Sequence, residues 1–344
     1  MATRVLQNGR SVGDYLAPYI VAELNTSHFG DMDVARAMID QAQLAGCDCV
    51  KFQSWSAETL YGRNYYAANK IAKRLVSKLA LDSAQLKHLA QYAASRRIDF
   101  ASTPYSIEEA EFLVVECSVP FLKIASMELN NLPYLSQLAR LGVPLVLSTG
   151  MGTIEEIREA VHTIEAAGND RLIILHCTSV YPATPAIIQL NNIVGLRSEF
   201  PQYPIGYSDH SIGSEIPAAS IALGACLIEK HFTLDRARIG MDNQMATEPK
   251  EMHAMVRACH NVHEALGGTK RVVSSEEAVQ IPKMRRSLVN KLPLKAGHIL
   301  TLDDLDAKRP GTGLAPMLLP SLVGRKLRRD LDAETVLAWQ DLEG

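Results

Sequence analysis

The sequence predicts a (β/α)8 barrel followed by a small β-rich domain. Short apolar, β-branched runs alternate with helix-like segments from the N-terminus to about residue 266. Each of these runs ends in polar side chains, and the C-terminal part of the chain contains an internal repeat instead of the alternation. A chain of 344 residues has room for one large domain and one small domain.

Eight strands and the helices between them account for the barrel. The predicted strands are 19–23, 49–53, 99–103, 121–124, 145–149, 172–176, 205–208 and 227–230. Helices are predicted at 34–45, 84–95, 107–115, 154–167, 214–223 and 250–266. Eight strand–helix units in about 250 residues match the usual size of a (β/α)8 barrel. The alternative, an open doubly wound sheet, needs a glycine-rich phosphate turn after an early strand, which the sequence lacks.

Polar side chains stand at the carboxyl end of every predicted strand. In chain order they are Glu23; Lys51 and Gln53; Ser102 and Thr103; Lys123 and Ser126; Ser148 and Thr149; His176; Ser208, Asp209 and His210; and Lys230 and His231. For any single residue, the alternative is that it merely begins the next loop. Because the carboxyl ends of the strands form the active-site face of a barrel, the complete set predicts an active site there.

The C-terminal part of the chain is predicted to form a separate domain. A glycine- and serine-bearing linker at 271–284 divides a barrel at 1–270 from a domain at 285–344. Residues 294–305 align with 331–342, with Leu, Ala, an apolar pair, Asp and Leu at matching offsets. The repeat predicts a pseudo-symmetric β module, which is small enough that we expect it to pack on something else.

Charge and composition exclude several classes of function. The net charge of −3, from 35 basic and 38 acidic residues, argues against binding to nucleic acid or to an anionic membrane by bulk attraction. The sequence shows neither a signal-peptide pattern nor an apolar run long enough to cross a bilayer. Its six cysteines form no C-x-x-C pair, so we expect reduced thiols in a cytoplasmic protein.

Two strand-end lysines predict an anion site. Lys51 and Lys123 would converge with the hydroxyl groups at neighbouring strand ends, which suits a ligand with both a phosphate and a carboxylate. The turn STGMG at 148–152 would add a helix N-terminus that favours an anion. The alternative for each lysine alone is a solvated position at the rim.

Two histidines at the ends of adjacent strands predict half of a metal site. His210 and His231 would leave coordination positions open for water and a substrate carbonyl. Asp209 or Glu229 is a candidate partner behind these ligands, unless strand alternation turns the carboxylate away. The alternative is that both histidines bond only to loop backbone.

The sequence leaves the roles of three further ionisable residues undecided. Glu23 and Glu128 are candidates for a general acid or base. The alternatives are an ion pair with a nearby lysine for Glu23 and loop capping for Glu128. His176 also ends a strand, and we expect it to have a structural or supporting role.

Together these residues lie in motifs that resemble the sialic acid (N-acetylneuraminate) synthase family. The tail resembles the antifreeze-like (SAF) domain of that family. In order, the motifs are IVAE at 20–23, GCDCVKFQ at 46–53, STP at 102–104, KIAS at 123–126, LSTGM at 147–151, LHCT at 175–178 with Tyr181 and Pro182, GYSDH at 206–210, EKHFT at 229–233 and KRPG at 308–311.

The resemblance implies a fold and a reaction. The family has a (β/α)8 barrel and a SAF domain, and its members are dimers in which the small domain of one subunit reaches the active site of the other. They condense phosphoenolpyruvate with an open-chain N-acylated hexose such as N-acetylmannosamine. The products are a nine-carbon 2-keto sugar acid and phosphate. A divalent metal, Mn2+ or Mg2+, would be held by His210 and His231.

The resemblance also implies roles for individual residues. The phosphoenolpyruvate site would consist of Lys51, Thr103, Lys123, Ser126, Ser148 and Ser208. The sugar site would consist of Gln53, Tyr181, Asp242 and, from the partner chain, Arg309. Glu23 and Glu128 would lie beside the reacting atoms.

Departures from the family pattern leave the identity of the sugar substrate undecided. SHFG at 27–30 replaces the usual NHNG, IGMDN at 239–243 replaces PGPDH, and Ser179 replaces an asparagine. N-acetylmannosamine and a 2,4-diacetamido-6-deoxy hexose, which would give a legionaminic or pseudaminic acid, are both candidates. Two other functions stay open: a keto-acid aldolase or lyase, and a sugar-binding homologue without turnover.

Overall fold

The computed structural model describes residues 1–343 and contains two compact units. They are Met1–Gly267 and Gly268–Gly344. Among the described residues, none of the helices is both long enough and apolar enough to cross a membrane. All six cysteines are free thiols, and only Cys117 is not buried.

The first unit is a closed barrel of eight parallel strands, so the predicted fold class is confirmed. A short antiparallel hairpin of β1 (Thr3–Val5) and β2 (Ser11–Gly13) precedes it. The barrel strands are β3 (Tyr19–Glu23), β4 (Cys49–Ser54), β5 (Asp99–Pro104), β6 (Leu122–Ile124), β7 (Leu145–Ser148), β8 (Leu172–Cys177), β9 (Ile205–Asp209) and β10 (Leu227–His231). Each strand pairs with its neighbour in sequence, and β10 pairs with β3 to close the barrel.

Helices fill the connections between these strands. They are α1 (Met32–Leu44), α2 (Ala57–Leu60), α3 (Arg63–Ala68), α4 (Lys70–Leu79), α5 (Ser83–Ser95), α6 (Ile107–Glu116), α7 (Leu132–Ala139), α8 (Ile154–Ala166), α9 (Pro185–Ile188), α10 (Asn192–Glu199), α11 (Glu215–Ala222) and α12 (Pro249–Leu266). Local sequence fixes several helix starts. Thr153 and Glu156 cap α8 reciprocally, for example, and Asp82 and Gln85 do the same for α5.

The barrel interior is divided into an apolar lower part and a polar upper part. Alternate residues of a strand face the same side. Tyr19 and Val21 therefore belong to the apolar cluster inside the barrel, together with Leu6 and Val12 of the hairpin. Glu23, the next inward residue of β3, lines the cavity above this cluster. The apolar plug leaves the carboxyl ends of the strands as the place for a site.

The second unit is a small domain whose two halves repeat each other. It contains α13 (Ser275–Ala278), α14 (Ile281–Met284), β11 (Ser287–Asn290), β12 (Leu305–Lys308) and α15 (Leu319–Leu322). Leu294 and Leu331, the first residues of the aligned repeats, each donate a backbone hydrogen bond to the other, at 2.9 and 2.8 Å. The predicted linker, 271–284, carries the two short helices α13 and α14.

Candidate active site

A cavity of about 440 Å³ opens at the carboxyl ends of the strands. Its size suits a small-molecule ligand. Twelve of the residues predicted for the site line it: Glu23, Lys51, Gln53, Thr103, Lys123, Ser126, Ser148, Tyr181, Ser208, His210, His231 and Asp242. The structure therefore brings residues from all eight barrel strands or the loops after them to one place.

Lys51 lies on the cavity floor in a network of buried partners. Its ammonium group forms an ion pair with Glu23 and donates a hydrogen bond to the Thr103 hydroxyl at 2.9 Å. Burial alone would lower the pKa of Lys51, but the charges of Glu229 and Glu23 outweigh it and raise that pKa. Lys51 is therefore a protonated cation rather than an amine nucleophile.

Lys123 is the second buried lysine that lines the cavity. Its partner is Glu229, whose role the sequence left undecided. Nζ of Lys123 donates to Oε1 of Glu229 at 2.9 Å, and Ser208 Oγ donates to the same oxygen at 3.4 Å. Burial alone would raise the pKa of Glu229, but the charges of Lys123 and Lys51 hold it below its ordinary value. Glu229 is thus an ionised carboxylate that faces the cavity.

Besides Oε2 of Glu23, which forms the ion pair with Lys51, two buried oxygen atoms at the cavity have no hydrogen-bond partner within the described chain. They are the Ser148 hydroxyl and Oε2 of Glu229. A buried polar atom without a partner costs roughly 1–3 kcal/mol, so proteins seldom leave one unsatisfied without a reason. Because both residues line the cavity, a polar ligand or water there would satisfy them.

The two histidines lie side by side at the cavity. Their ring centroids are 5.4 Å apart, and Nδ1 of His210 lies 2.8 Å from the Thr178 carbonyl oxygen, which leaves Nε2 available as a ligand atom. Burial and the neighbouring His210 lower the pKa of His231, which favours the neutral imidazole that a metal requires. Burial alone would lower the pKa of His210, but hydrogen bonding with Cys177 outweighs it and raises that pKa, so a metal would have to replace a proton there. It is the closeness of the two rings that fits a two-histidine metal site.

The rest of such a coordination shell would have to come from outside the protein. Within residues 1–343, no group of three or more His, Cys, Asp or Glu side chains is arranged to hold a metal ion. That water and substrate oxygens would occupy the remaining positions stays a prediction.

Strand alternation turns several strand-end residues away from the cavity. Asp209 and Lys230 form a buried ion pair with each other, and Lys230 also donates to the Ser211 carbonyl at 2.7 Å. His176 Nε2 lies 2.7 Å from the Ile188 carbonyl oxygen, and Ser102 pairs with the hydroxyl of Ser54. Asp209 is thus excluded as a partner of the metal ligands, whereas Glu229 is not.

Sequence reasoning missed the residues that hold Gln53 in place. The side-chain oxygen of Gln53 accepts hydrogen bonds from Trp55 Nε1 at 3.2 Å and from the Tyr105 hydroxyl at 3.3 Å. Its amide nitrogen donates to Glu23 at 3.1 Å. Trp55 and Tyr105 follow the ends of β4 and β5 by one residue each, so their position was a signal that could have identified them.

Asn25 and Cys177 are two further lining residues that the sequence did not single out. Asn25 donates to a carboxylate oxygen of Asp242 at 3.0 Å and so fixes that side chain at the cavity edge. Burial raises the pKa of the Cys177 thiol, but hydrogen bonding with His210 and Ser126 outweighs it and lowers that pKa.

Two predicted site residues are not among the lining residues. Glu128 lies in a 3-10 turn, where its carboxylate accepts a hydrogen bond from Asn131 at 2.7 Å, so its loop-capping alternative has structural support. Arg309 belongs to the second unit, where its side chain is exposed. Their catalytic and sugar-binding roles stay predictions.

The three departures from the family pattern fall in different places. Ser179 lines the cavity, and so do Met241 and Asp242. His28, from the first departure, is instead buried and packs against Phe52, with ring centroids 5.9 Å apart. Two of the three departures therefore border the candidate site.

Comparison with known proteins identifies the family. The sequence matches the NeuB family over residues 38–271 and the SAF domain over residues 285–343. The chain belongs to the NeuB family. This confirms the resemblance to sialic acid synthases that the motifs indicated, and it agrees with the SAF domain predicted for the tail.

Two curated relatives and one solved structure show how far the similarity extends. The chain is 35% identical to N,N'-diacetyllegionaminic acid synthase of Legionella pneumophila, over 96% of both proteins. It is 36% identical to human N-acetylneuraminate-9-phosphate synthase, over 93% of this chain and 91% of that one. The crystal structure of N-acetylneuraminic acid synthetase from Leptospira borgpetersenii has a TM-score of 0.74 at 33% identity, covering 81% of this chain and 96% of that chain. The barrel and its small domain are therefore typical of the NeuB family.

Proposed function

We propose that this protein condenses phosphoenolpyruvate with an open-chain N-acylated hexose to give a nine-carbon 2-keto sugar acid and phosphate. The observation that carries this proposal is the convergence of Lys51, Lys123, the unpartnered Ser148 hydroxyl and two histidines on one cavity. The names of the relatives also support a synthase of this kind. Some of the named relatives make a product with a 9-phosphate and others make a product without one, so similarity does not identify the sugar substrate.

The cavity floor suits phosphoenolpyruvate. Each lysine ammonium has three donors, and Lys123 uses one of them on Glu229. Donors therefore remain for the phosphate and carboxylate of the ligand, even though both lysines are already paired. The hydroxyls of Thr103, Ser126 and Ser148 would add directed hydrogen bonds.

The two histidines would hold Mn2+ or Mg2+, which would act as a Lewis acid on the sugar aldehyde. The enol carbon C3 of phosphoenolpyruvate forms a bond to the aldehyde carbon, the aldehyde oxygen takes up a proton to become a hydroxyl, and C2 then carries positive charge. Water adds at C2 and loses one proton. The hydroxyl on the resulting tetrahedral carbon loses its remaining proton as the C–O bond to phosphate breaks, which leaves the 2-keto group and free phosphate. Glu23 and Glu229, which both line the cavity, would stabilise the charge at C2, and one of them would take the proton from that water.

The structure gives the competing lyase function little support. A Schiff-base mechanism needs a neutral lysine, whereas Lys51 forms a buried ion pair with Glu23 and Lys123 donates to the Glu229 carboxylate at 2.9 Å. A binding protein without turnover would share the cavity, so only an activity measurement separates it from an enzyme.

The test is phosphate release from phosphoenolpyruvate with a panel of N-acylated hexoses, with Mn2+ and with a chelator. We expect release that requires both a sugar and a metal. A Lys123→Ala variant should lose this release, whereas Lys87→Ala, at an exposed surface pair, should keep it. Failure of every sugar to cause release would overturn the proposal.

A further inference from the structure

The side-chain amide of Gln53 is held at both of its ends. Its oxygen accepts hydrogen bonds from Trp55 Nε1 at 3.2 Å and from the Tyr105 hydroxyl at 3.3 Å, and its nitrogen donates to Oε1 of Glu23 at 3.1 Å. The oxygen and the nitrogen of an amide have nearly the same size, so the hydrogen-bond partners decide which way the amide faces. The orientation of Gln53 therefore depends on what each partner can donate or accept.

The two partners of the Gln53 oxygen are both donors. An indole N–H, such as that of Trp55, can only donate. Burial, followed by the charges of Glu23 and Glu128, raises the pKa of Tyr105, so its hydroxyl keeps its proton. Tyr105 therefore stays a hydrogen-bond donor across the physiological pH range.

The partner of the Gln53 nitrogen is an acceptor. Oε1 of Glu23 also accepts the backbone N–H of Asn25 at 3.1 Å, and the other oxygen of Glu23 forms the ion pair with Lys51. If the amide turned over, its N–H groups would face the indole N–H of Trp55, and its oxygen would face the carboxylate of Glu23. The turned amide would lose both of these hydrogen bonds and leave their groups without partners. The three partners thus hold the amide in one orientation.

This orientation decides what Gln53 can offer to a ligand. An amide oxygen has two lone pairs, and Trp55 and Tyr105 use both of them. The amide nitrogen has two hydrogens, and within residues 1–343 only Glu23 accepts one of them. Because Gln53 lines the cavity, its second N–H is available to a ligand there. Gln53 can therefore donate a hydrogen bond to a ligand but cannot accept one.

We propose that Trp55 and Tyr105 are positioning residues, which hold the Gln53 amide so that its second N–H donates to an acceptor oxygen of the sugar. The proposal rests on the proposed function, because it takes Gln53 to lie beside the sugar. Loss of one donor lets the amide turn for part of the time, and a turned amide presents an oxygen where the sugar needs an N–H. All of these contacts lie within the barrel, so they do not depend on any residue that a partner chain would add.

The experiment removes one donor at a time. Tyr105→Phe and Trp55→Phe each keep an aromatic ring, and the backbone N–H of Tyr105 is held separately by Glu109 at 2.8 Å. We expect each variant to raise the KM for the sugar about threefold to tenfold, the usual effect of one lost hydrogen bond, and to leave the KM for phosphoenolpyruvate unchanged. The sugar is the N-acylated hexose that gives the fastest phosphate release in the panel. Tyr203→Phe is the matched control, because it loses a hydroxyl bond to Glu165 away from the cavity and should change neither KM.

A double-mutant cycle with Gln53→Met tests whether Tyr105 acts through the amide. Methionine has a similar length but no amide to orient. Tyr105→Phe should therefore change the KM for the sugar by less than about twofold when Gln53→Met is also present. An equal effect in both backgrounds would show that Tyr105 binds the sugar itself, which overturns the proposal. If Gln53→Met turns over too slowly, calorimetry of sugar binding in the presence of phosphoenolpyruvate gives the same comparison as a Kd.

The outcomes separate this inference from the proposed function. If the unchanged protein releases phosphate with a sugar, but Tyr105→Phe and Trp55→Phe leave the KM for that sugar unchanged, the inference is wrong while the proposed function stands. A rise in both KM values with a lower melting temperature would show a general structural role and would also contradict the inference. If no N-acylated hexose causes release from the unchanged protein, both are wrong.

Discussion

At the scale of single residues, the position within a strand decides which strand-end group takes part in the site. Ser148 and Ser102 are both buried serines near the carboxyl end of a barrel strand, and their sequences do not distinguish them. Ser102 faces away from the cavity and pairs with Ser54 at 2.7 Å, whereas Ser148 lines the cavity without a partner. A difference in function should therefore accompany the difference in orientation.

The Ser148→Ala variant should raise the KM for phosphoenolpyruvate about tenfold or more, because it removes a hydrogen bond to a charged ligand. The melting temperature should stay nearly unchanged, because no hydrogen bond within the protein is lost. Ser102→Ala is the control and should show the reverse: a lower melting temperature and an unchanged KM. Steady-state kinetics measure the KM of each variant, and thermal unfolding measures its melting temperature. An unchanged KM in Ser148→Ala would show that Ser148 does not bind phosphoenolpyruvate.

The sequence predicted many of the residues that line the cavity, but not their hydrogen-bond partners. Polar residues at strand ends are visible in the sequence because each follows an apolar run. The pairing of Lys123 with Glu229 is not visible in the sequence, because it joins β6 to β10 across the barrel. Asn25 was missed for the same reason, since its partner Asp242 comes from the loop after β10.

At the scale of elements, the strands were more predictable than the helices. All eight predicted strands agree with the structure to within a residue or two at each end, because buried parallel strands are nearly continuous apolar runs. The helix α10 has Gly195 in its interior and little amphipathic character, so its sequence gives a weak signal. The three short helices of α2–α4 lie outside the alternating pattern, yet Leu60 of α2 lines the cavity.

The outward face of β9 and β10 holds a buried ion pair that should support stability rather than catalysis. The side chains of Asp209 and Lys230 are at most 2% exposed, so loss of one charge leaves the other uncompensated. Asp209→Asn should lower the free energy of unfolding by about 3 kcal/mol. Denaturant unfolding is the measurement, with Glu116→Gln as the control, because its pair with Lys87 is exposed and contributes little. Equal stability of the two variants would refute the role of the buried pair.

At the scale of the whole molecule, the repeat in the small domain was predicted and is visible as duplicated hydrogen bonds. Gly297 donates its N–H to the Leu327 carbonyl at 2.8 Å, and the corresponding residue of the second repeat, Glu334, donates to Asn290 at 2.8 Å. Leu300 and Leu337 occupy matching places in its leucine core. Sequence similarity between the halves thus corresponds to similar local structure, but it carries no information on where the domain acts.

The proposed role of Arg309 requires a homodimer in which each small domain serves the barrel of its partner. His231→Ala disables the barrel site and Arg309→Ala disables the small domain, so each variant alone should be inactive. In mixed dimers one of the two sites would combine an intact barrel with an intact Arg309. After full subunit exchange, activity should therefore recover to about a quarter of that of the unchanged protein. Mixing His231→Ala with Lys123→Ala is the control, because both changes lie in the barrel and no combination yields an intact site. Exchange verified by mass spectrometry without recovery in the first mixture would show that each site is completed within a single chain.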